Sequence, residues 1–144
     1  MTSKSFASVA ADSNVVLSAA IGRAAVRVFH SALHVVTTDL NLAEVYEYLP
    51  LFIETSGLPA EEVAQNLENL PLTVLGLKDY EPGLEEARRL IGGRDPDDVA
   101  LLALALTREI PIWSNDRDFE ALTVTAYPTA VLLKILESQE SRRD

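Results

Sequence analysis

The apolar positions along this chain follow two rhythms. Five short runs have strand length: 6–11, 34–37, 72–75, 112–114 and 124–125. The first of them, Phe6-Ala7-Ser8-Val9-Ala10-Ala11, reads as a short buried strand, and His34-Val35-Val36-Thr37 reads as a second strand. Between the runs lie segments of helical period: 15–20, 22–33, 42–55, 59–70, 82–91 and 128–136. Over 42–55 the stripe is Val45, Leu49, Phe52 and Ile53. Ser56-Gly57-Leu58 should turn this helix back against 59–70 as a hairpin, a surface suited to packing or to a homodimer. Strands that alternate with helices predict one α/β domain on a mostly parallel sheet.

One segment breaks the amphipathic rule. From Val99 to Leu106 there is no polar residue, so this helix should be central, with no face left for water. Asp95 can cap it, Pro96 suits its first position, and Asp97 and Asp98 fall in its first turn. Two carboxylates at the head of a buried helix are costly unless something positive meets them.

Composition narrows the picture. The 144 residues suffice for one domain, 1–144, with residues 1–5 and 138–144 expected as flexible ends. No apolar run approaches the roughly 18 residues of a membrane span, and Met1-Thr2-Ser3-Lys4 lacks a signal-peptide layout, so a cytoplasmic chain without membrane contact is expected. The absence of cysteine excludes disulfides and thiolate metal sites. The formal net charge of −10 makes the chain a poor passive binder of nucleic acid. Either nucleic acid is not the ligand, or divalent metals supply the positive charge locally, which demands clustered carboxylates.

Acids do stand at the junctions. Asp12 follows the first strand, Glu44 begins the helix after the second, Asp116 follows 112–114, and Asp98 opens the helix leading into that strand. In a parallel sheet such junctions share one edge, where ligands bind. Each acid also has a plainer reading: Asp12 as an N-cap, Glu44 as the far end of a capping box with Asn41, and the helix-opening pair as dipole-favoured residues. Hard oxygen donors without cysteine or a convincing histidine set point to Mg²⁺ or Mn²⁺. His30 and His34, four apart, lack a third nitrogen or sulfur ligand. Arg23, Arg27 and His30 share a helical face that would suit a phosphate backbone, and Arg117 adds a cation beside Asp116.

Asp12-Ser13-Asn14 after a strand, Glu44 within Asn41-Leu42-Ala43-Glu44-Val45, Asp98 ahead of Leu101 and Ala105, and Ser114-Asn115-Asp116-Arg117-Asp118-Phe119 together resemble the ordered motifs of PIN-domain nucleases. The resemblance runs from about Val9 to Leu136. It implies a Rossmann-like, three-layer α/β/α sandwich and Mg²⁺- or Mn²⁺-dependent cleavage of single-stranded RNA, leaving a 5′-phosphate and a 3′-hydroxyl. Many small stand-alone domains of this kind resemble the toxin half of VapBC-type toxin–antitoxin pairs, so an antitoxin partner is implied. Carried over by motif, Asp12, Glu44, Asp98 and Asp116 form the acidic tetrad, with Asp12, Asp98, Asp116 and the auxiliary Asp118 as metal ligands. Asn14 and Ser114 would hydrogen-bond the carboxylates or a water held there. Within the triplet Asp95/Asp97/Asp98, spacing favours Asp98 and leaves Asp97 as a substitute or supporting residue.

Two other readings compete. A receiver-like domain, phosphorylated on aspartate, would need a lysine at a late acidic junction, and Lys4, Lys78 and Lys134 are not placed there. A catalytically silent PIN-fold binding module would keep the fold without the chemistry. The nuclease reading requires the four acids to meet in one pocket, with none tied up by an arginine.

Overall fold

The computed structural model describes residues 6–119, 122 and 124–143, apart from the side chains of Asp118 and residues 141–143. Five strands make one sheet: β1 (Ser8–Ala11), β2 (His34–Thr38), β3 (Leu72–Leu75), β4 (Ile112–Trp113) and β5 (Ala126–Tyr127). Their order is β3-β2-β1-β4-β5 and every pair is parallel. The chain steps outward from β1 to β3, then returns to lay β4 on the other side of β1. That reversal is the topological switch point, where parallel sheets open a crevice at the strands' carboxyl ends.

Alternation along the strands divides the core in two. Val9, Ala11, Val35 and Trp113 face one layer, built from α1 (Ser13–Ala20), α2 (Val26–Phe29), α3 (Asp39–Ser56), α4 (Ala60–Asn69) and α8 (Thr129–Arg143). Ala10, Val36 and Ile112 face the other, formed by α5 (Leu77–Tyr80), α6 (Leu84–Ile91) and α7 (Pro96–Arg108). Successive strand residues point to opposite faces, so strands apolar throughout end up buried on both. The result is the expected three-layer α/β/α sandwich. Val99 to Ala105 of α7 are all buried, as their uninterrupted apolar character requires. No described helix is long and apolar enough to cross a membrane.

Several boundaries differ from the sequence expectation. Helix α3 starts at Asp39 rather than Leu42, because the Thr38 side chain caps it by accepting from the Asn41 amide at 3.1 Å. Gly57, at φ 72°, ends α3 in the left-handed conformation and starts the hairpin to α4. Helix α2 is a single turn, so the long face expected across 22–33 does not form. The short α5 and the 3₁₀ turn Glu81–Gly83 precede α6, where a loop and an earlier helix start were expected. Strand β5 falls at 126–127 rather than 124–125, since Ser114 donates its amide to Tyr127 and Ile112 to Thr125. Helix α8 runs through Arg143, past both the expected end at Leu136 and the start of the expected tail. Residues 1–5 and 144, also expected as flexible, lie outside the described residues.

Gly83 sits where the turn before α6 crosses α7. A Cβ built there would lie 2.4 Å from the Ala103 carbonyl oxygen and 2.8 Å from the Thr107 hydroxyl. A carbonyl within a buried helix cannot step aside. Gly83→Ala should therefore cost about 1–3 kcal/mol, seen as a melting temperature lowered by roughly 3–10 °C. An unchanged melting curve would show that this crossing is looser than the geometry states.

Candidate metal centre

The first strand delivers Asp12 to the switch point. Its amide donates to the Trp113 carbonyl at 3.0 Å, which registers Asp12 beside the end of β4. The residue is 6% exposed; Oδ1 accepts from the Ser13 amide at 2.7 Å and Oδ2 from the Ser114 hydroxyl at 2.8 Å. Asp12 is thus the N-cap of α1 and part of the site at once. Capping and site geometry are not alternatives here.

Glu44 arrives on the second turn of α3. Because that helix begins at Asp39, Asn41 is not its cap, and Glu44 is not the partner of a capping box. Asn41 is buried and does another job: its side-chain Nδ2 donates to Ser13 Oγ at 3.1 Å, while Ser13 Oγ donates to the Asn41 backbone carbonyl at 3.2 Å. Thr38 donates to Asn41 Oδ1 at 2.5 Å. This lattice locks the start of α1 to the start of α3. The Ser13 hydroxyl is also within hydrogen-bonding reach of Glu44.

Helix α7 runs antiparallel to the strands, so its first turn lies at their carboxyl edge. It brings Asp97, not Asp98, to the other two acids. Ligand oxygens of Asp12, Glu44 and Asp97 all lie within 4.8 Å of one another. Burial pushes the Asp12 carboxyl above its ordinary value, against the pull of its bonds from Ser114 and Ser13. Burial, then a hydrogen bond to Asp97, pushes Glu44 up to about 7. At an effective dielectric of about 20, two unit charges this close repel by about 3 kcal/mol. The trio must therefore hold a proton or a cation. Three hard oxygen donors, mostly desolvated, fit Mg²⁺ or Mn²⁺.

Asp98 and Asp116 stand beside this trio with an arginine between them. Arg94 Nη2 lies 3.2 Å from Asp98 Oδ2 and 3.5 Å from Asp116 Oδ2. Burial and the charge of Asp97 raise Asp98 to about 6, with Arg94 opposing. Of the four acids expected to share one pocket, Asp12 and Glu44 lie together. Asp97 joins them in the place expected for Asp98, while Asp98 and Asp116 share Arg94. Spacing to Leu101 and Ala105 favoured Asp98, but in a helix apolar on every side each phase points at apolar neighbours, so that spacing does not fix the rotation. The pairing of Arg94 with Asp98 had no helical-spacing signal either, because Arg94 lies ahead of the Asp95 cap and outside α7.

The supporting residues are placed unevenly. Ser114 donates to Asp12 and accepts from the Asp116 amide at 3.0 Å, tying the ends of β1 and β4 together. Asn14 is exposed at the start of α1, and Ser13 makes the inward contacts instead. Ser13 and Asn41 had no signal of their own beyond adjacency to the motif acids. Arg117 is exposed in the 3₁₀ turn Arg117–Phe119, directly after Asp116. Arg23 and Arg27 follow the far end of α1, at the opposite edge of the sheet, where Arg27 pairs with Glu137 at 3.4 Å. His34 opens β2 and meets Thr73 at 2.7 Å. The side chain of Asp118 lies outside the described residues.

The fold and the acidic edge define a class: a parallel α/β domain with a carboxylate cage at its switch point. The PIN domain family model matches residues 10–136, and the chain belongs to that family. Among curated proteins none matches it. Among solved structures the fold resembles a chain of VapBC2 from Rickettsia felis, bound to a DNA fragment from its promoter. That likeness has 13% identity and a TM-score of 0.54, covering 84% of this chain and 98% of the other. At that identity the likeness speaks to the fold alone.

Proposed function

We propose that the chain is a divalent-metal-dependent endoribonuclease that cleaves single-stranded RNA, the toxin of a toxin–antitoxin pair. The observation that carries the reading is the convergence of Asp12, Glu44 and Asp97 oxygens within 4.8 Å at the switch point. Membership in a family of nucleases gives the reaction class, phosphodiester hydrolysis. The VapBC2 likeness supports the toxin–antitoxin setting.

Asp12, Glu44 and Asp97 would hold Mg²⁺ or Mn²⁺. The ion, when bound, supplies Lewis-acid polarisation of the phosphate and makes water a better nucleophile near neutral pH. The residues of the chain do the rest. Ser13 and Ser114 fix the two oxygens of Asp12, so the cage does not have to reorganise on binding. Glu44 is poised near neutrality to take up or release a proton. Exposed Arg117 supplies a cation for the RNA backbone beside the cage. An antitoxin, or a second copy in a homodimer, has exposed apolar side chains to cover on α3, where Tyr48 and Leu51 share a face and are 45% and 55% exposed.

The purified chain incubated with 5′-labelled single-stranded RNA and Mn²⁺ should yield fragments ending in a 3′-hydroxyl, with a 5′-phosphate on the downstream piece. EDTA should stop the reaction and added Mn²⁺ restore it. Cleavage that persists in EDTA sinks the proposal. The silent-module reading is favoured by one observation, Arg94's hold on two acids, and it predicts RNA left intact under every condition.

A further inference from the structure

We infer that Arg94 is a resident second cation of this site, neutralising Asp98 and Asp116 so that the centre takes a single divalent ion at Asp12, Glu44 and Asp97. The inference rests on the metal-centre reading above and deepens it.

The acids sort into two groups by their counter-charges. Asp12, Glu44 and Asp97 converge on one another. Asp98 and Asp116 converge on one guanidinium nitrogen, at 3.2 and 3.5 Å. Arginine stays charged at any pH the protein meets, so this cation is permanent. Its side chain is 29% exposed and its guanidinium carbon lies 5.8 Å from the centre of the Phe119 ring. Phe119 is itself 1% exposed, so that platform belongs to the core rather than to a swinging loop. Arg94 is thereby held from both sides: carboxylates compensate its charge, and an aromatic face supports its plane.

A dication seeking Asp98 and Asp116 would have to displace this guanidinium or lie against it. The Asp12 trio crowds three carboxylates within 4.8 Å of one another, a repulsion that a dication would remove. Arg94 also keeps Asp98 and Asp116 from adding their full charge to the trio beside them. It acts as a positioning residue, setting how many ions the edge accepts and where.

Manganese titration followed by calorimetry and by electron paramagnetic resonance counts the ions directly, without activity. The wild-type chain should bind one Mn²⁺. Arg94→Gln, which strips the charge but keeps a polar side chain, should bind two, and Arg94→Lys, which keeps the charge, should return to one. The double variant Asp12→Asn/Arg94→Gln should lose the first ion and keep the second. Two ions in the wild type, two in Arg94→Lys, or one in a folded Arg94→Gln would overturn the inference while leaving the metal centre standing. No ion in the wild type would overturn the metal centre itself, and the inference with it. If Arg94→Gln fails to fold, Arg94→Met takes its place, with two ions expected and a count of one overturning the inference.

Discussion

Asp97→Asn should leave a folded chain whose RNA cleavage falls by roughly 10²–10³-fold, the scale of removing one preorganised electrostatic group from an active site. Asp98→Asn, one residue later, should cost about tenfold, because it disturbs a neighbour of the cage and leaves its three donors intact. The contrast is the informative part. Both substitutions preserve shape, and both sit in the first turn of α7, so general damage to the helix would affect them alike. Only a cage that uses one of the two separates them. The Asp97 variant should also melt no lower than the wild type without metal, since it removes a charge from a trio whose oxygens lie within 4.8 Å. Single-turnover cleavage of labelled RNA, read beside thermal melts, checks both halves. Equal losses in the two variants would remove Asp97 from the position assigned to it.

The second large effect is a reversal in how pH acts on stability. Without metal, the chain should become less stable as pH rises from about 4.5 to about 7. Glu44 has an ordinary value of 4.5 and is held up to about 7, first by burial and then by Asp97. Across that window the folded chain keeps a proton that the unfolded chain has released, so raising the pH favours unfolding. Asp98, raised from 3.8 to about 6, adds to the fall in the lower part of the range. Discounted for the partial exposure of both groups, the sum is about 1–2 kcal/mol, or roughly 3–8 °C in melting temperature. Saturating Mn²⁺ should turn the trend around. The ion requires ionised carboxylates, so its stabilisation grows as the pH passes the point where Glu44 gives up its proton. Melts in EDTA and in Mn²⁺ between pH 5 and 8 should therefore diverge. Parallel curves would mean that the ion, if bound, does not use Glu44.

Much of this architecture was legible in the residues. Strand-length apolar runs alternating with helical stripes gave the parallel sheet, and the polar-free stretch from Val99 to Leu106 gave the central helix. Acids at strand ends marked the edge where chemistry would gather. What escaped were features decided by tertiary contacts. Thr38, not Asn41, caps α3, and that shift alone frees Glu44 from a local explanation. The extent of β5 is set by its pairing with β4, which nothing in Val124-Thr125-Ala126-Tyr127 announces. The choice of Asp97 over Asp98 turns on how a helix uniform in hydrophobicity is rotated against the sheet, and its own pattern carries no mark of rotation. Arg23 and Arg27 looked suited to phosphate by face alone. Distance along α1 puts them at the wrong edge.

The bond from Ser114 to Asp12 joins residues 102 positions apart. At roughly 5–20 residues per second, a ribosome adds β4 some 5–20 s after it has added β1. Throughout that interval the growing polypeptide carries its first acids without the strand that fixes them, and β1 has an unclaimed flank. A message cut short before Ser114 would encode all three donors of the cage without the hydroxyl that fixes Asp12. The chain's late return to its own beginning therefore postpones assembly of the centre until β4 has been made.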